Sequence, residues 1–308
     1  MSGSGLPWSW NIVTDIRLMW SFAFIQNAYE AGTIIAIVAG IVGYFVVLRR
    51  SAFATHALGH VGFSGAAGAV VFGVNPVYGL LLFTMGGGTG MALLGRRAAT
   101  RDIEIGTVLA FMLGLGLLFL SLYHGFATEA YAILFGEILG ISPAQVAFTF
   151  EASLVVLAVL VVIYRPLLFS SLDEDVAEAR GLPMLALGLA FMLMLAIAIS
   201  IAVQVIGVLL IFALMVTPAA VAVRLTRRPL TAVIVSVLVA VVCTWLGIFV
   251  AVFQGQFPVS FFIVTFAFGI YVIVRGALAL GQAVTNVRRR GGARYLGRTL
   301  FSGLIRRG

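Results

Sequence analysis

Lysine is absent from this 308-residue chain, and all nineteen of its basic residues are arginine. A Walker A loop grips phosphate with a lysine, so this polypeptide supplies no standard P-loop ATPase, and any ATP-driven step on it belongs to another chain. Cysteine occurs once, at Cys243 in an apolar run, which excludes an intrachain disulfide and a thiolate metal cluster. A metal site here must use nitrogen and oxygen. Charge is also scarce: 10% of residues are charged against 62% hydrophobic, which no soluble domain of this length shows. Residues 1–27 have no basic n-region followed by an apolar core and a small-residue cleavage site, so no removable signal peptide is expected.

What the chain does have is apolar sequence in blocks. Nine stretches, near 28–48, 52–73, 76–95, 103–124, 143–164, 182–203, 206–223, 229–252 and 258–280, are long enough to cross a hydrocarbon core about 30 Å thick. The sixth and seventh form one block from Leu182 to Val223, too long for one span, which divides around Gln204. The expected fold class is an all-α polytopic integral membrane protein with about nine transmembrane helices. Three parts are expected: an interfacial segment at 1–27 marked by Trp8, Trp10, Trp20, Phe22 and Phe24, a transmembrane body over 28–281, and an arginine-rich tail over 282–308. Arginines follow the odd-numbered spans (Arg49 and Arg50; Arg96, Arg97 and Arg101; Arg165 and Arg180; Arg224, Arg227 and Arg228; Arg275 and the tail) and none follows the even-numbered ones. Basic residues collect on the cytoplasmic side, so the N-terminus is expected outside and the C-terminus in the cytoplasm. The tail carries the same rule to excess or binds anionic lipid headgroups. Nothing points to a nucleic-acid partner.

Two of the three histidines, His56 and His60, lie four residues apart in the second stretch. On a helix that spacing stacks both rings on one face, with Cβ atoms about 5–6 Å apart, so one cation can bridge them. The bland alternative is two neutral rings hydrogen-bonded to neighbouring helices. Small residues around them (Ala57, Gly59, Gly62, Gly65, Ala66) permit close approach of another helix. His124 at the end of the fourth span, and Glu137 in the segment after it, are candidates along a metal route. Glu151 lies inside the fifth span, where its charge must face the bundle or a wet cavity. The run Gly86-Gly87-Gly88-x-Gly90 either loosens the third span or admits a close neighbour. Between the fifth and sixth spans, residues 170–181 begin with Ser170 and Ser171, hold Asp173, Glu174, Asp175 and Glu178, and end at Gly181. That is the grammar of a short soluble helix, either a docking element or a solvated connector.

Several motifs fall in a recognisable order: Val47-Leu48-Arg49-Arg50, Ala57-Leu58-Gly59-His60, Leu134 through Ser142, Asp173-x-x-x-Ala177-x-x-x-Gly181, Val205 through Leu210, and Thr217-Pro218-Ala219-Ala220. With them the chain resembles the membrane permeases of bacterial zinc, manganese and iron ABC importers. The resemblance implies a transport subunit in the plasma membrane, not itself an enzyme. It implies a permease homodimer, a separate ATPase subunit, and an extracytoplasmic metal-binding protein that delivers the ion. It makes Asp173, Glu174, Asp175, Ala177, Glu178 and Gly181 the coupling helix received by the ATPase, and it places the metal pair at His56 and His60. Family members carry aspartate and histidine there, so His56 removes a negative charge and softens the ligand set. No permanent cofactor is implied, only the transported divalent ion. Imidazole suits zinc, whereas manganese leans towards carboxylate, so zinc is favoured, with manganese or iron as alternatives.

Two rival readings are open on sequence. One is an ABC permease of the same architecture carrying a non-metal substrate. The other, much weaker, is a rhomboid-like intramembrane serine protease, echoed by Gly62-Phe63-Ser64-Gly65, although the nearest histidines share the serine's own helix. In the importer reading a delivered ion is held by His56 and His60 and leaves inward when ATP-driven closure moves the coupling helices. Because ligating histidine must be neutral, uptake is expected to fall as pH drops through the imidazole range. Uptake measured from about pH 7.5 to 5.5 checks this, and a flat profile contradicts the ligand set.

Overall fold

The computed structural model describes residues 17–94, 101–122 and 136–304, the side chains of residues 101 and 282–304 aside. His124, Trp8 and Trp10 lie outside the described residues. The helices run in chain order as α1 (Ala23–Leu48), α2 (Ala52–Val71), α3 (Pro76–Leu94), α4 (Arg101–Leu122), α5 (Pro143–Leu172), α6 (Glu174–Ala179), α7 (Met184–Ile206), α8 (Val208–Leu225), α9 (Pro229–Gln254) and α10 (Val259–Leu304), with a 3₁₀ turn at Ile138–Gly140. The chain divides into one compact unit ending at Phe268 and a second from Gly269. No strand occurs among the described residues.

Eight of these helices are long and apolar enough to cross a membrane. The remaining long helix, α2, has 20 residues, sufficient length at about 1.5 Å per residue. Its two histidines and four glycines lower its hydropathy. Packing offsets that deficit, because most of α2 is buried among its neighbours. α2 packs on α3, α4 and α8, α1 packs on α9, α8 and α5, and α7 joins the two groups through α3 and α5.

Several boundaries differ from the sequence reading. α1 begins at Ala23, because apolar Ala23 and Ile25 extend the helix and Gln26 is satisfied locally, its side chain donating to the Trp20 carbonyl at 2.6 Å. The long block divides at Gly207 and not at Gln204. Gly207 sits at φ 82, ψ 162, a region reserved for glycine. Ser170 and Ser171 are the last turn of α5, their hydroxyls donating to the Leu167 carbonyl, and not caps of the next helix. Asp173 is that cap, accepting from the Val176 amide at 3.0 Å.

Elements expected on one side of the membrane meet. Arg49, at the end of α1, donates to Ser170 Oγ near the end of α5 at 3.0 Å. Near the opposite end, Asn27 donates to the Ile141 carbonyl at 3.0 Å and Ser260 to the Ile206 carbonyl at 3.3 Å.

Apolar burial separates helices weakly from lipid, so close approach of small residues carries much of the specificity. The tightest crossing in α2/α3 pairs Gly65 with Gly79: a Cβ on either would overlap the carbonyl oxygen of the other. Gly65→Val is therefore expected to lower stability by about 3 kcal/mol, whereas Gly86→Ala, which meets open space, leaves it unchanged. Thermal unfolding of the purified variants checks both.

Candidate metal site

α2 starts two residues after the basic corner at Arg49 and Arg50. Arg50 takes a left-handed backbone (φ 54), and the amides of Arg50 and Ser51 donate to the Val47 and Val46 carbonyls at 3.2 and 2.8 Å. That paired closure ends α1 and turns the chain straight into the histidine helix. Four and eight residues beyond Ala52 stand His56 and His60, about 6 and 12 Å along the axis.

The two rings are half-buried and meet edge to face, with centroids 4.7 Å apart at 82°. Among the described residues neither ring makes a hydrogen bond, in contrast to the bland alternative of rings bonded to neighbouring helices. Phe212 of α8 stands edge-on to His56 at 5.3 Å. The break between α7 and α8 lies against the same stretch: a Cβ on Gly59 would stand 3.4 Å from Val208 Cγ1. No group of three or more His, Cys, Asp or Glu side chains that could hold a metal occurs among the described residues. One chain thus offers two imidazoles, and a tetrahedral ion needs about two further ligands from elsewhere.

The other described candidates, Glu151 and Glu137, do not join the pair. Glu151 is exposed on α5, which packs on α1 and α7, so it does not face the bundle interior; Val156 and Leu160 take that face. Glu137 lines a cavity of about 300 Å³ with Asn75, Gln145 and Gln204, beside Ala66 of α2. A second cavity of about 290 Å³, at the other end, is lined by Arg49, Ser51, Glu174, Glu178 and Phe191. The Arg49 guanidinium stands 5.3 Å above the Phe191 ring.

Ser64 is fully buried, and its hydroxyl donates to the His60 and Met112 carbonyls. Those bonds tie α2 to α4 and leave the hydroxyl no described base. The glycine run of α3 admits close neighbours without breaking the helix: Cβ atoms at Gly87 and Gly88 would stand 2.8 Å from Val61 Cγ1 and 3.1 Å from the Met192 carbonyl oxygen.

In the segment over 170–181, Asp173 caps α6, Ala177 is fully buried, and Glu174, Asp175, Glu178 and Gly181 are exposed. The amides of Gly181 and Leu182 donate to Glu178 and Ala177 at 2.9 and 3.2 Å, the paired closure that glycine permits with its φ of 80. Leu172 and Val176 remain 66% and 43% exposed, an apolar face open to a partner. Sequence reasoning passed over Phe212 and the Thr84–Ser200 hydroxyl pair, 2.6 Å apart between α3 and α7. Neither has a motif; each is recognisable only once the helices are paired.

An all-α bundle with eight helices long and apolar enough to cross a membrane defines a multi-pass membrane protein. The ABC 3 transport family matches residues 21–277, and the chain belongs to it. It is 27% identical over 233 residues to the manganese transport system membrane protein MntC of Halalkalibacterium halodurans, covering 75% of this chain and 80% of that one. To the manganese import system permease protein ScaB of Streptococcus gordonii it is 28% identical over 236 residues, covering 76% and 84%. Among solved structures it is similar to PsaBC from Streptococcus pneumoniae in complex with Fab, at TM-score 0.76 and 26% identity, over 85% of this chain and 95% of that one.

Proposed function

We propose that this chain is the permease of an ATP-driven importer that moves a divalent transition metal into the cytoplasm, with His56 and His60 as its ligands to the ion. The observation that carries the reading is the ring pair itself: two imidazoles 4.7 Å apart, without hydrogen-bond partners among the described residues, on a helix that is mostly buried among its neighbours. Groups of this polarity at membrane depth are expensive unless used. Two chains pooling their pairs supply four nitrogens, the number a tetrahedral ion takes. A homodimer, a separate ATPase and an extracytoplasmic metal-binding protein complete the machine. The exposed face of α6 is the docking point for the ATPase.

Zinc is the favoured cargo. The relatives MntC and ScaB are named for manganese, but an all-imidazole set suits zinc better than manganese. Uptake of radioactive zinc and manganese into proteoliposomes holding permease and ATPase tests this. Zinc is expected to accumulate only with ATP and to be displaced poorly by excess manganese; accumulation of manganese alone overturns the zinc assignment and keeps the metal reading.

A further inference from the structure

The cavity near Asn75 holds polar groups that the histidine site leaves unused. Among the described residues Glu137 supplies the only formal charge of the cavity lining, and that carboxylate has no ion pair or hydrogen-bond partner there. Gln204 reaches the same cavity, and its buried Nε2 makes no hydrogen bond. The two remaining amides are committed: Asn75 Oδ1 accepts from the Val77 amide at 3.0 Å and Gln145 Oε1 from the Ser142 amide at 2.9 Å. Those bonds fix the turn before α3 and the start of α5, and so the walls of the cavity. Leu80 and Val203, buried at 2% and 0% exposure, give it an apolar floor where charges are poorly screened.

An unpaired carboxylate beside a buried unpaired amide is costly unless something binds between them. Among the described residues no arginine lines the cavity, so a cation is the complement. Rotating the Gln204 carboxamide by half a turn presents its oxygen in place of its nitrogen, since the two ends are equivalent in shape. Ala66, which also lines the cavity, lies six residues beyond His60, about 9 Å along α2. Between them the Gly62 side of α2 is filled by Leu80 and Thr84, and Thr84 is tied to Ser200.

We propose that this cavity is a second cation site, in which the Glu137 carboxylate and the Gln204 carboxamide oxygen hold a divalent ion before it reaches His56 and His60. The site rests on the importer reading for its purpose but not for its chemistry. Its ligands are oxygen only, so it takes hard and borderline divalent ions with little discrimination. Selection falls to the imidazoles beyond it, and the Leu80, Thr84 and Ser200 side chains separate the two stations.

The test uses manganese(II), read by electron paramagnetic resonance, titrated into the full-length permease purified with its ATPase. The His56→Ala/His60→Ala double variant is expected to retain a manganese site, and adding Glu137→Gln is expected to weaken that binding about tenfold or more. Gln204→Leu in the same background weakens it in the same direction, and Glu137→Asp restores most of it. Size-exclusion profiles matching wild type exclude misfolding as the cause. Binding in the double-histidine background that ignores Glu137→Gln, or is absent there, overturns the cavity site. Binding that depends on Glu137 and is the same with and without the histidines upholds the cavity, since manganese is the ion that the imidazole pair holds poorly.

Discussion

His56→Ala and His60→Ala each reduce metal accumulation to the level of cells without the permease. Each removes one of the two imidazoles a chain offers, and a site short of ligands binds and orients the ion poorly. The fold has little reason to suffer. Both rings are only half-buried, neither ties α2 to another helix by a hydrogen bond among the described residues, and alanine is the best helix former. Protein level should therefore equal wild type, which immunoblotting checks. His56→Asp is the informative partner: it restores a carboxylate and shifts preference towards manganese. The ratio of manganese to zinc uptake is expected to rise about tenfold over wild type, and an unchanged ratio would separate His56 from ion choice.

Val176→Asp uncouples the transporter without unfolding it. Val176 is 43% exposed beside Leu172 at 66%, so the new carboxylate is solvated in the free permease and buried unpaired only when an ATPase groove closes on α6. An unpaired charge in an interface costs about 2–5 kcal/mol, enough to remove most ATPase from the complex. Pull-down of the ATPase and substrate-stimulated ATP hydrolysis should fall together, by about tenfold or more. Ala177→Asp acts differently. Ala177 is fully buried, so that carboxylate disrupts the seat of α6 itself, and thermal stability falls along with coupling. Wild-type ATP hydrolysis in Val176→Asp would move the docking face elsewhere on the chain.

Much of this was legible in the sequence because membrane physics is blunt. Apolar length and the one-sided arginines marked the spans, and the four-residue spacing of His56 and His60 predicted the shared face that the rings occupy. What stayed illegible depended on partners distant in sequence. The division of the long block falls at Gly207 because the backbone turns where only glycine can follow, whereas Gln204, the polar residue in the run, suggested a place three residues earlier. Ser170 and Ser171 read as caps because serine favours that role, but they bond back into their own helix, and Asp173 takes the cap. Glu151 inside an apolar run suggested a carboxylate facing the bundle or a wet cavity, and of the two α5 leaves only the exposed side, because Val156 and Leu160 claim the packed face.

The most direct test is the total zinc, manganese, iron, copper and nickel of cells grown under metal limitation, by mass spectrometry, in a deletion strain complemented with wild type, His56→Ala or His60→Ala. The account predicts that one divalent metal, zinc before the others, falls in the deletion, returns with wild type, and stays low with either variant at equal protein level. Unchanged metals in the deletion, or full restoration by both variants, would contradict it and make the paired histidines structural.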